Sequence, residues 1–172
     1  MPVPPSCAIH PLRTADLDAV LCVQAQCYGP GFLEPIEAFA SKLAASPHTS
    51  WVAWADGEPI AYLVCLPVEA NKLPALHASD WQAPTTPTAL YLHDMAVAPA
   101  GRALGLGRQL VATAKAEATR QGLNDMTLVA VQGSVPYWQR HGFMVVSGAA
   151  PSVADKVASF GPDARLMHCA LR

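Results

Sequence analysis

The sequence is short of charge. Of its 172 residues, only 14% are Asp, Glu, Lys or Arg, while 52% are hydrophobic. Formal net charge is −2, and no block of Lys or Arg occurs anywhere. A basic patch is the footprint of nucleic-acid and anionic-membrane binding, so neither is an expected partner. There is no CxxC pair among the five cysteines, Cys7, Cys22, Cys27, Cys65 and Cys169. An odd count without metal-ligand spacing argues against a disulfide framework and against a zinc site, and no metal is expected. Cys65 lies inside an apolar run and reads as a buried thiol rather than a nucleophile. The longest apolar run, near Ile60 to Leu66, is far too short to span a bilayer. The N-terminal MPVPPSC has neither the basic nor the apolar region of a signal peptide. The expectation is a cytoplasmic protein, and no internal repeat is visible.

What is present suits one α/β domain over residues 1–172, with the Pro-rich residues 1–6 as a disordered tail. Ala8 to Leu12 reads as a first strand. Thr14 then reads as a helix N-cap, with Leu17, Val20 and Leu21 at helical spacing. Gly29-Pro30-Gly31 ends that helix. Glu34 to Ala45 reads as a second, with Ile36, Phe39, Ala40 and Leu43 on its apolar face. Ser50 to Ala55 and Ile60 to Leu66 are strands joined by an Asp56-Gly57 hairpin turn. Residues 67–87 form a long Pro-containing segment carrying Leu73, Leu76, His77 and Trp81. Loops of that length are often functional, and this one reads as a lid, a substrate wall or a dimer contact.

Thr88 to Val97 is a strand, and 104–121 a helix with Leu106, Leu110, Ala114 and Ala118 facing inward. Gly122 stops it. Strand 126–131, a short helix 134–140, strand 143–146 and strand 165–171 complete a mixed sheet flanked by helices.

Between the strand ending at Val97 and the following helix lies RALGLG, Arg102 to Gly107. The first N–H groups of a helix have no internal partner and carry partial positive charge, which suits phosphate. Glycine lets the anion approach the backbone closely. The stretch is not a P-loop, because Arg108-Gln109 follows Gly107 instead of Lys-Ser/Thr. Nor is it a GxGxxG dinucleotide fingerprint, since its glycines run GxxxGxG from Gly101.

Three blocks together resemble the GNAT superfamily of acyl-CoA N-acyltransferases: the strand LHDMAVAP, the loop RALGLG, and SVPYWQRHGF with its aromatic pair before Gly-Phe. Within the superfamily, LHDMAV and VPYWQRHGF are similar to stretches of the serotonin (arylalkylamine) N-acetyltransferases. The resemblance implies a mostly antiparallel twisted sheet with a central pair of parallel strands that splay apart around acetyl-CoA, the co-substrate. It implies pantetheine contacts to the backbone of Met95, Ala96 and Val97. The pyrophosphate would sit on Arg102, Ala103, Leu104, Gly105, Leu106, Gly107 and Arg108. It also implies transfer of an acetyl group to a small primary amine by direct attack in a ternary complex.

His93 falls where the superfamily often places its general base, and imidazole exchanges protons near neutral pH. The other reading of His93 is a packed sheet residue. Tyr91 stands where the serotonin enzymes have a second His. The leaving-thiolate donor of the superfamily is a Tyr, but that place holds Trp138, with Tyr137 beside it. Either Tyr137 is reoriented, or the thiolate leaves by hydrogen bonding and takes its proton from solvent. The second is favoured, because neighbouring helical residues point about 100° apart. Strand alternation places Tyr91, His93 and Met95 on one face and Asp94 on the other. Asp94 either braces a loop or attracts a cationic amine. His141 and His168 read as surface and late-strand residues.

Two alternatives stand beside the small-amine enzyme. One is a catalytically altered acetyl-CoA-binding or interaction module, with Trp138 as its mark. The other is an acetyltransferase for polyamines or protein N-terminal amines. Nothing in the sequence selects between monomer and homodimer.

Overall fold

The computed structural model describes residues 5–171. Strands β1 (Cys7–Pro11), β2 (Ser50–Ala55), β3 (Glu58–Val68), β4 (Ala89–Val97), β5 (Asp125–Ala130), β6 (Met144–Val145) and β7 (Arg165–Ala170) form one sheet in the order β1-β2-β3-β4-β5-β7-β6. Only β4 and β5 are parallel; the other neighbours run antiparallel. The mixed, mostly antiparallel architecture is therefore as expected. The expected 1–6 tail falls largely on residues 1–4, outside the described residues. Ser6 exchanges two hydrogen bonds with Asp56, at 3.1 and 3.2 Å.

Asp56 and Gly57 both have positive φ, 49° and 84°, as a tight hairpin turn between twisted strands requires. Helix α1 (Leu17–Cys27) is entered through a 3₁₀ turn, Thr14–Asp16. Thr14 is not its side-chain cap: the Asp16 carboxylate accepts instead from the Arg13 N–H at 2.9 Å. Helix α2 spans Ile36–Ala45, two residues shorter than the sequence reading. Pro35 is the reason, because the residue before a proline is pushed out of the helical region. Glu34 is thereby left in the α1–α2 link. The buried residues of α2 are Ala38, Phe39, Lys42 and Leu43, so its inner face carries a lysine.

Helix α3 (Leu106–Arg120) buries Leu106, Leu110, Val111, Ala114 and Ala118 against the sheet. It stops where Gly122 takes φ +73° and Leu123 N–H bonds back to the Ala118 carbonyl. Short helix α4 covers Val135–Gln139. Helix α5 (Pro151–Ala158) has no counterpart in the sequence reading. Its Val153 packs with Leu66, Val68, Leu73, Ala89 and Tyr91 in a small second core.

The segment between β3 and β4 has no helix or strand and is tied down by two lysines. Lys42 Nζ donates to the Ala78 carbonyl at 2.6 Å, and Lys156 Nζ to that of Leu73. Leu73 is buried and Trp81 half-buried in the second core. Of the suggested wall residues, only Leu76 lines the central cleft. All five cysteines are free, and burial pushes the Cys65 thiol well above its ordinary pKa. Among the described residues no helix is long and apolar enough to cross a membrane.

Candidate active site

Strands β4 and β5 pair only from Ala89–Asp125 to Leu92–Leu128. Beyond Leu92, β4 runs on to Val97 without β5, so the two strands open into a V. The other edge of β4 stays paired with β3, but with one irregularity. Val64 pairs with Asp94 and Cys65 with Leu92, which leaves His93 as an extra residue on β4. Such a bulge breaks the two-residue alternation and re-aims the side chains around it.

This bulge overturns the expectation that His93 and Asp94 face opposite ways. Both side chains join one polar cluster at the base of the V. His93 Nε2 contacts Glu34 Oε1. Tyr62 donates to Asp94 Oδ2 at 2.7 Å, and Phe39 of α2 packs edge-on against the Tyr62 ring. Tyr28, just past α1, donates to the Met95 carbonyl at 2.6 Å.

Glu34 is held at every polar atom. Its backbone is clamped by Gln24, which accepts from its N–H at 2.8 Å and donates to its carbonyl at 3.1 Å. Lys42 Nζ lies 3.1 Å from Oε2. The side chains of Glu34, Lys42 and His93 are 2%, 0% and 1% exposed, so water screens none of these contacts. Burial alone would raise the Glu34 pKa, but His93 and Lys42 outweigh it and hold the carboxyl at about 2.

Asp94 behaves oppositely. Burial pushes it up to about 6, against the pull of His93 and of the Tyr62 hydroxyl. A carboxyl whose folded pKa lies above its unfolded one favours folding below the unfolded value. It loses that contribution as pH rises through the folded value. The window here runs from 3.8 to about 6. A shift of roughly two units corresponds to about 2–3 kcal/mol. Asp94→Asn keeps an acceptor for Tyr62 and removes the charge. Its stability relative to wild type should therefore climb through that window and level off on the order of 2 kcal/mol higher. Denaturant melts at several pH values test this; a difference that is flat with pH contradicts it.

The glycine loop meets the mouth of the V. A 3₁₀ turn, Pro99–Leu104, precedes α3, and Gly105 is the N-cap at φ +68°. Gln109 N–H bonds back to the Gly105 carbonyl at 3.2 Å, so the N–H groups of Leu106, Gly107 and Arg108 precede the first helical donor. Gly107 is buried, and a Cβ there would collide with the Tyr137 hydroxyl. The cleft beside the loop is lined by Met95, Val97, Arg102, Gly105, Gly107, Arg108 and Tyr137, together with Arg140 and His141. Those last two residues were not singled out in the sequence as lining a site. Of the other expected loop residues, Ala103 is exposed, Leu104 packs on the core and Leu106 is fully buried, leaving backbone as its available chemistry.

The central cleft continues along the opened strands. It is lined by His93, Asp94, Met95, Ala96, Val97 and Arg102 on one wall and by Tyr137 and Trp138 on the other. Trp138 is 9% exposed and edge-packed on Phe143. Tyr137 is half-buried, and burial raises its hydroxyl pKa despite nearby Arg140. Tyr137 alone of the aromatic pair lines both clefts. Phe32, Leu76 and Phe160 also line the central cleft. Among the described residues no group of three His, Cys, Asp or Glu side chains is placed to hold a metal ion.

A twisted sheet whose one parallel pair opens into a V, with a glycine-led helix start at its mouth, is the architecture of the acyl-CoA N-acyltransferases. The model of the Acetyltransferase (GNAT) family matches residues 17–143, and the chain belongs to that family of N-acetyltransferases. Solved structures agree on the fold. The loading GNATL domain of CurA from Lyngbya majuscula superposes with a TM-score of 0.78 at 10% identity, over 96% of this chain and 98% of that one. The ribosomal-protein-S18-alanine N-acetyltransferase from Escherichia coli gives 0.68 at 18% identity, over 96% and 94%. Arabidopsis thaliana Naa50, in complex with the bisubstrate analogue CoA-Ac-MVNAL, gives 0.65 at 11% identity, over 95% and 97%. No curated protein sequence matches the chain.

Proposed function

We propose that the protein transfers the acetyl group of acetyl-CoA to a small primary amine with an apolar or aromatic body, by direct attack in a ternary complex. The observation that carries this reading is the two-ended cleft. One end offers glycine-loop N–H groups and arginines to a phosphorylated thioester. The other holds a half-buried carboxylate, Asp94, and counts Phe32, Leu76 and Phe160 among its lining. Glu34 is neutralised by Lys42, whereas Asp94 has no ion-pair partner among the described residues. An ammonium entering the cleft supplies that partner, and its apolar body meets the apolar lining.

The site cannot hold both reactants without order along the V. The pyrophosphate rests on 102–108, and pantetheine follows the backbone of Met95, Ala96 and Val97 along the edge of β4 that β5 leaves open. The thioester then lies near His93 and Tyr137. Proton removal by His93 frees the amine lone pair, which forms the new C–N bond. The C–S bond breaks and its electron pair leaves on sulfur. The bonded nitrogen sheds its remaining surplus proton to solvent, and the thiolate takes a proton from the Tyr137 hydroxyl, which solvent then restores, or directly from solvent, while Trp138 packs the wall. A base of this kind typically supplies about 10²–10⁴-fold.

A second reading, acetylation of peptide N-termini, draws support from the peptide-like analogue bound to the Naa50 relative. The test compares kcat/KM for phenethylamine or tryptamine, for spermidine and for an N-terminal peptide. An apolar wall gives a graded preference of about 1–3 kcal/mol per methylene-sized step at best. The aryl or alkyl amine should lead. A tenfold lead for peptide or spermidine overturns the acceptor proposal.

A further inference from the structure

We propose that Glu34, itself held by Lys42, is a positioning residue that fixes the tautomer of His93 and makes Nδ1 the atom that takes the acceptor's proton. The inference rests on the acyltransferase reading and deepens it.

The argument begins with what each atom can donate. Glu34 is ionised, so its oxygens only accept. Oε2 is occupied by Lys42, and Oε1 meets His93 Nε2. A neutral imidazole facing a carboxylate oxygen must present its N–H there. The hydrogen therefore sits on Nε2 and the lone pair on Nδ1. Nδ1 is buried and has no hydrogen-bond partner among the described residues. Leaving a buried polar atom unpaired is unfavourable. His93 is among the residues that line the central cleft, so a proton arriving there with substrate would give this orphan its missing partner.

Once Nδ1 is protonated, the imidazolium shares its cluster with the carboxylates of Glu34 and Asp94. From β3 Tyr62 faces the cluster, from the end of α1 Tyr28 and Cys27 do, and Tyr91 lies below at 5.8 Å between ring centroids. All are neutral near pH 7, because burial raises each of their pKa values. Lys42 supplies the other half of the device. With His93, it offsets the burial that would otherwise favour a protonated Glu34, and it holds Oε2 so that Oε1 is left to the imidazole. Lys42 also donates to Ala78, so the same ammonium ties the 69–88 segment to the base.

The test reads the tautomer directly and the kinetics separately. Imidazole nitrogen NMR of the wild-type protein with His93 neutral should show hydrogen on Nε2. Hydrogen on Nδ1 overturns the proposal and leaves the acyltransferase reading intact. In Glu34→Gln, kcat should fall about 10²-fold or more, as tautomer loss does in triad enzymes, while acetyl-CoA affinity stays within twofold. In that variant the imidazole nitrogens should no longer report hydrogen confined to Nε2. Unchanged kcat and an unchanged tautomer in a folded Glu34→Gln protein would make Glu34 merely structural. Lys42→Met should reproduce the loss. If neither variant folds, the wild-type tautomer still decides. A wild-type protein with Nε2–H that acetylates no amine refutes the acyltransferase reading instead.

Discussion

Replacing His93 by alanine is expected to lower kcat/KM at neutral pH by about 10²–10⁴-fold, the usual contribution of a positioned general base. The fold should survive. Glu34 keeps Lys42 on Oε2 and Gln24 on its backbone, so removing the imidazole does not leave the carboxylate without a countercharge. Acetyl-CoA binding should also survive, because the glycine loop is built from the other end of β4 and from α3. A folded His93→Ala protein with the wild-type rate and pH profile assigns His93 to packing alone.

Gly105→Glu is expected to abolish acetyl-CoA binding. The substitution puts a carboxylate at the start of α3, where a pyrophosphate would meet the N–H groups of Leu106, Gly107 and Arg108. Repulsion and bulk act together there. No atom lies within 4 Å of the Cβ position, so the side chain itself has room. The φ of +68° adds strain of about 1–2 kcal/mol, which a protein of this size tolerates. Circular dichroism checks the fold and titration calorimetry checks the affinity. Undiminished affinity in a folded variant removes the glycine loop from the cofactor site.

The sequence is legible where one local rule decides. Leu106, Leu110, Ala114 and Ala118 recur at helical spacing and are all buried. Asp56-Gly57 announces its hairpin, and Gly122 its helix stop. The V follows from resemblance in the LHDMAV and RALGLG blocks. Other features depend on contacts between distant residues. Glu34 and His93 are 59 positions apart, and no periodicity links them. Lys42 looks like the solvent face of a helix until Glu34 turns it inward. One signal was present: Pro35 bars Glu34 from the helix, which sets it apart from the other α2 residues. The bulge at His93 leaves no trace in an alternating strand pattern. Helix α5 was missed because its eight residues carry only Val153 and Val157 as an apolar pair.

The most direct test of the account is a turnover assay with acetyl-CoA and a panel of primary amines. Free CoA is followed by thiol release, and the N-acetylated amine by mass spectrometry. The account predicts CoA release that depends on the amine, matches the acetylated product one for one, and is lost in His93→Ala. Tight acetyl-CoA binding with no acetylated product from any aryl, alkyl, polyamine or peptide acceptor would contradict it and leave a cofactor-binding module in place of an enzyme.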